Sequence, residues 1–208
     1  MANTLVDIFR VKELKDRILF SLLWLAIFRL GTYLPIPGIN ASALQSYFAQ
    51  QSSTGSGGIT DYLNFFAGGA FKNFSLFMMG VMPYISAQII MQLLIVIFPK
   101  LKAIAEEEGG RRKISRWTKI GTIVVAIIQS FSVTVWADRI PNAIVMSNRT
   151  LYTIIAILTV TTGTMFLVWI GEQITKRGIG NGISLLIFAG IVSTIIYHLG
   201  LFNSVDAG

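Results

Sequence analysis

Few residues in this 208-residue sequence have side chains suited to chemistry of their own, and their spacing argues against catalysis. There is no cysteine and a single histidine, His198. That removes disulfides, thiolate zinc sites, cysteine nucleophiles and any all-histidine metal cluster, and it leaves the redox compartment undetermined. A membrane-embedded enzyme would need paired aspartates, a zinc motif or a serine-histidine pair inside its apolar stretches, and His198 has no nearby carboxylate within its own stretch. Gly178-Ile179-Gly180-Asn181-Gly182 invites a nucleotide reading, but the spacing is G-x-G-x-G, no strand precedes it, and no lysine follows in P-loop register. A tight turn is the expectation there.

The remaining polar groups of interest sit among apolar neighbours. Gln88 and Gln92 lie one helical turn apart, and burying an unpaired amide in hydrocarbon is unfavourable, so each needs a partner. Arg29 is the one formal charge inside an apolar stretch; either the bundle satisfies it or it meets substrate directly. The run from Lys100 to Lys119 combines Glu106-Glu107-Glu108 with Arg111-Arg112-Lys113. It reads as a solvated loop or as a basic docking cluster for acidic protein or RNA phosphate.

The elements that must position these residues follow from composition. Of the residues, 53% are hydrophobic and 13% charged, against roughly 25% charged in ordinary soluble domains. A mean hydropathy of +0.67 excludes intrinsic disorder. Five stretches are long enough to cross a bilayer: 18–34, 74–98, 120–137, 151–170 and 183–202. Such continuous apolar runs must close their own backbone hydrogen bonds, which predicts helices; barrel strands would be shorter and alternating. The first stretch exceeds the apolar core of a secretory signal and is followed by Pro35-Ile36-Pro37-Gly38 rather than a cleavage site.

The net charge of +7 is distributed unevenly. Arg10, Lys12, Lys15 and Arg17 precede the first stretch; Lys100, Lys102, Arg111, Arg112, Lys113, Arg116 and Lys119 follow the second; Lys176 and Arg177 follow the fourth. These are 13 of the 17 basic residues, and they predict a cytoplasmic N-terminus with cytoplasmic loops at about 99–119 and 171–182. On the other side, residues 39–60 contain Gln50-Gln51-Ser52-Ser53-Thr54-Gly55-Ser56-Gly57-Gly58 and predict a flexible loop. Next comes Asp61-Tyr62-Leu63-Asn64-Phe65-Phe66-Ala67-Gly68-Gly69-Ala70-Phe71, with Asp61 placed to cap a short helix. At about 16 Å this piece is too short to span, so it lies at the interface, re-enters the membrane inside protein, or extends the next helix with a break near Gly68-Gly69. The sequons at Asn40, Asn73 and Asn148 read as chance matches.

Four strings in order then carry a resemblance: Phe28-Arg29-Leu30-Gly31-Thr32-Tyr33 with Pro35-Ile36-Pro37-Gly38; Gly80-Val81-Met82-Pro83-Tyr84-Ile85-Ser86-Ala87-Gln88-Ile89-Ile90; Gly171-Glu172-Gln173-Ile174-Thr175; and Arg177-Gly178-Ile179-Gly180-Asn181-Gly182-Ile183-Ser184. Together they resemble the amino-terminal half of the SecY protein-translocation channel family, in bacterial phrasing. The resemblance implies an all-α integral membrane protein: five transmembrane helices plus a short re-entrant plug half-helix, one half of a ten-span inverted repeat. It further implies a pore ring with Val81, Ile85, Ile183 and Ile187, a plug at 61–71, and a polar contact along a lateral gate at Gln92, with Gln88 second. Arg111, Arg112 and Lys113 would dock a cytosolic partner.

The implied partners are the carboxy-terminal half of the same channel, a SecE-type clamp, a SecG-type accessory subunit, a SecA-type motor ATPase or the ribosome, the translocating preprotein and membrane lipid. Neither catalysis nor a cofactor nor a metal is implied, and the implied location is the bacterial inner membrane. The competing expectation is a half-repeat small-solute transporter, which would couple through midplane acids or broken helices. Apart from Arg29 the stretches carry no such charge.

Overall fold

The computed structural model describes residues 12–53, 64–65 and 67–198, and among them the regular structure is entirely helical. In chain order the helices are α1 (Lys12–Gly31), α2 (Ala41–Ser53), α3 (Met82–Ile97), α4 (Pro99–Glu106), α5 (Gly110–Ala137), α6 (Arg149–Arg177) and α7 (Gly182–His198). Both α5 and α6 are long and apolar enough to cross a membrane, and α3 with α4 passes the same test as a pair bent by 105°. α1 has only 20 residues, and its first turns, from Lys12 to Arg17, are charged, which leaves a shorter apolar part than in the 28-residue α5 and the 29-residue α6.

Several boundaries differ from the apolar stretches. The stretch at 74–98 is helical only from Met82. Before it, residues 67–81 form successive turns, because Gly80 takes a left-handed φ of 55° and Pro83, in the first turn of α3, has no amide to donate backwards. At the other end Phe98 is extended, as a residue before proline tends to be, and Pro99 starts α4 in a new direction. The expected loops at 99–119 and 171–182 are largely helical, since α5 begins at Gly110 and α6 runs on to Arg177. In α5 and α6 hydropathy marked the apolar part, and the helix continues past it. Likewise α2 occupies much of the expected flexible loop: Asn40 Oδ1 caps it by accepting from the amides of Ser42 and Ala43, and Leu44 and Phe48 bury one face. The rest of that loop, 54–60, lies outside the described residues, as do Arg10 and 199–202.

Within the bundle α5 packs between α3 and α6, and α6 also meets α1 and α7. Thr118, Thr122, Ala126, Ser130 and Thr134 recur every fourth residue on the buried face of α5, so small side chains let neighbouring helices approach. The chain's two ends of the bundle have different character. At one, α1 begins with Lys12, α5 with Arg111-Arg112-Lys113, and α6 ends with Lys176-Arg177. At the other, Trp136 packs against Tyr47, Phe48, Phe71 and Phe74 with ring centroids 5.9–6.1 Å apart. There the exit from α1 is pinned to the turn segment: Ile36 N donates to Phe74 O and Leu76 N to Leu34 O, both at 2.9 Å. Large apolar side chains such as Leu23, Leu93, Ile128, Leu158 and Phe188 face outward, a surface suited to lipid or to further protein.

Candidate functional site

Val81 ends the turn segment immediately before α3, and Ile85 follows one turn on, its amide donating to the Val81 carbonyl at 3.1 Å. Ile183 and Ile187 occupy the first two turns of α7. That helix is started by Asn181, whose Oδ1 accepts from the amides of Ile183 at 3.0 Å and Ser184 at 3.3 Å. The glycine-rich string is therefore a tight turn with a cap, as its spacing predicted. It is tied back to α1 by the Ile179 amide donating to Ser21 Oγ at 3.1 Å.

Val81 belongs to the buried apolar cluster, and Ile85, Ile183 and Ile187 pack against that same cluster from two helices. Among the described residues no Cα of α3 comes within 8 Å of one in α7. What approaches α7 instead is the turn segment, where Gly68, with φ of 65°, lies so near Gly190 that a Cβ at 68 would be 2.9 Å from the Gly190 Cα. Only glycine fits both the backbone angle and that spacing.

Of the expected plug, Asp61, Tyr62, Leu63 and Phe66 lie outside the described residues, and so does the cap expected from Asp61. Asn64 and Phe65 are helical, whereas 67–71 is turn rather than continuous helix. Asn64 organises it: its Oδ1 accepts from the Lys72 amide and its carbonyl from the Gly69 amide, each at 3.0 Å. Ala67, Ala70 and Phe71 are buried in the cluster that holds Val81. Gly69, with φ of 88°, faces open space. Arg29 reaches into this segment, donating from Nη1 to the Gly68 carbonyl at 2.6 Å and from Nη2 to the Tyr33 hydroxyl at 3.3 Å. The arginine is thus satisfied by the fold, and its partner lies 39 residues away in sequence.

Gln88 and Gln92 are exposed on α3 and make no hydrogen bond to Ser86 or to the backbone among the described residues. Both line a cavity of about 580 Å³ between α3, α4 and α5, together with Tyr84, Lys102, Glu106 and Arg111. The two glutamines and the first residue of the basic cluster are separated in the chain, and the bend at Pro99 brings them together. The cluster itself is divided, since Arg112 and Lys113 are exposed away from the cavity and Lys113 Nζ lies 3.5 Å from Glu107 Oε2. Sequence reading missed one tie: Lys119 on α5 pairs with Glu172 on α6 at 2.6 Å, both partly buried. Glu172, the one carboxylate in α6 and directly after its apolar stretch, was the available signal. Two of the three sequon asparagines also have a structural role, Asn40 capping α2 and Asn148 Oδ1 accepting from the Leu151 amide at the start of α6. Among the described residues no three His, Asp or Glu side chains converge as a metal site would require.

The SecY family model matches residues 75–206. The chain is 49% identical over 203 residues to a protein of Borreliella burgdorferi named protein translocase subunit SecY, covering 98% of this chain and 45% of the relative. It is 48% identical over 184 residues to the protein of the same name from Escherichia coli K12, covering 87% of this chain and 41% of the relative. The chain therefore spans less than half the length of these relatives. Among solved structures, one described as a protein conducting channel aligns over 94% of this chain and 42% of its own with a TM-score of 0.59 at 20% identity. Another, described by the plug domain of SecY stabilising the closed state of the translocation channel, gives a TM-score of 0.59 over 94% of this chain at 20% identity. At that identity the structural likeness concerns the fold. Because the family model covers more than half the chain and close relatives align along nearly all of it, this protein belongs to the SecY family.

Proposed function

We propose that the chain forms the amino-terminal half of the pore of a protein-translocation channel, five spans with a plug between the first and second. The observation that carries this reading is the meeting of three elements in one apolar cluster: Val81 with Ile85, Ile183 with Ile187, and the turn segment at 67–71 that comes between α3 and α7. A conduit for unfolded polypeptide must pass a variable polar chain while stopping ions. Aliphatic side chains at a constriction exclude water and form no directional bond that would detain the chain. Among its described residues the plug is built of tight turns with Ala67, Ala70 and Phe71 buried, an apolar surface suited to closing the remaining gap.

The other half of the same channel would supply the facing wall. The exposed face of α3, with Gln92 and Gln88, is the proposed lateral gate, where the two amides would find polar partners and hydrophobic segments would leave for lipid. Arg111, Arg112 and Lys113 lie at the end proposed as cytoplasmic, by the distribution of basic residues, and would receive a SecA-type motor or the ribosome. SecE-type and SecG-type subunits would complete the assembly in the bacterial inner membrane. No feature of the site favours a small-solute transporter over this reading.

The test is an aspartate placed in the constriction of the complete channel. Val81→Asp or Ile187→Asp, reconstituted in vesicles with the partner subunits, should raise resting ion conductance and alter preprotein transport. Unchanged conductance together with unchanged transport would refute the constriction.

A further inference from the structure

We infer that Arg29 is a positioning residue for the plug, a latch that holds it in its closed seat; this rests on the plug reading above. Three observations converge. Nη1 donates to the backbone carbonyl of Gly68 at 2.6 Å, a charge-assisted bond to the segment's own main chain. The guanidinium is oriented by Tyr33 one turn on, through Nη2 to the hydroxyl at 3.3 Å and with Cζ 5.3 Å from the ring centroid. On its other side the same Gly68 abuts Gly190 of α7, so one residue is held between α1 and α7. Among the described residues no carboxylate pairs with Arg29, which leaves its charge directed at that carbonyl.

A bond to a carbonyl oxygen constrains position without demanding any particular side chain at 68, which glycine alone can occupy. It is also reversible. When a polypeptide enters, the guanidinium can keep its Tyr33 contact and exchange the carbonyl for water, so the cation is not left unsatisfied while the plug moves. In the closed state the bond biases the equilibrium between seated and displaced plug, and losing a charge-assisted hydrogen bond in this part-buried site shifts such an equilibrium by about tenfold.

The experiment measures resting ion efflux from vesicles containing the complete channel with its partner subunits, for Arg29→Met, Arg29→Lys, deletion of 61–71, and Arg29→Met combined with that deletion. The expected result is an efflux raised about tenfold by Arg29→Met, largely recovered by Arg29→Lys, and no increment from Arg29→Met once the plug is gone. A tight Arg29→Met channel beside a leaky deletion overturns the latch and leaves the plug standing. An increment that persists in the deletion also overturns it, because Arg29 then acts through the bundle. A tight deletion overturns the plug reading and the latch with it. Should Arg29→Met fail to assemble, Tyr33→Phe takes its place: it keeps the ring, removes the hydroxyl, and should raise efflux about twofold only when the plug is present. No rise from Tyr33→Phe would then count against the latch.

Discussion

The aromatic end of the bundle and its basic end are held by different forces, and on the proposed function each suits a different task. At the aromatic end the chain leaves helical geometry for residues 67–81, and van der Waals packing around Trp136 together with backbone bonds from Ile36 and Leu76 keeps those turns in place. At the basic end helices run on past the apolar zone and are joined by the Lys119–Glu172 pair, the Asn181 cap and the Ser21–Ile179 bond. Packing of that kind is non-directional and tolerates a segment that shifts as a unit, whereas caps and ion pairs fix register. On the proposed function, the first suits a plug that moves and the second a rigid platform for a cytosolic partner.

Substitutions can separate the two ends. The largest loss is expected from Trp136→Ala, which empties the space between Phe71, Phe74, Tyr47 and Phe48; about 3 kcal/mol of stability should disappear in denaturant unfolding of the complete protein in detergent. A loss below that of a surface substitution would show that these rings do not hold the turns. Next in size, Gly68→Ala should cost about 2 kcal/mol, adding a clash with Gly190 to an unfavourable φ, while Gly69→Ala carries only the φ penalty of about 1 kcal/mol. Equal effects at 68 and 69 would mean that α7 does not constrain the turn segment.

At the basic end the changes should be smaller. A double-mutant cycle between Lys119→Ala and Glu172→Ala is expected to give about 1 kcal/mol of coupling, since the pair is short but in part solvated. Asn181→Ala should lower stability by about 1 kcal/mol through the uncapped first turn of α7. Arg112→Ala, at an exposed position, should leave stability within about 0.5 kcal/mol, so that any effect on transport reports a partner rather than the fold.

Much of the helical framework was legible because its causes are local. Apolar runs predicted helices at all five stretches, and glycines around Asn181 predicted the turn before α7. The errors also have local causes. Residues 74–81 looked like the start of a span because Phe, Leu, Met and Val dominate the composition, and the left-handed demand at Gly80 outweighed that signal. The glutamines and serines of α2 masked its helical character, although Asn40 with Leu44 and Phe48 at helical spacing signals it. Of the candidate site, the i, i+4 pairs Val81–Ile85 and Ile183–Ile187 could be placed on helix faces from spacing, but the family resemblance was needed to single them out.

The sequence by itself determined how many residues must avoid water and where positive charge gathers, because hydropathy and charge are summed residue by residue along the chain. Only the tertiary structure decided that Arg29 meets the Gly68 carbonyl, that Gly68 meets Gly190, and that Gln88, Gln92 and Arg111 share one cavity. Such meetings join residues far apart in the chain, and they depend on the bend at Pro99 and the turns at 67–81, where small changes in backbone angle redirect everything that follows.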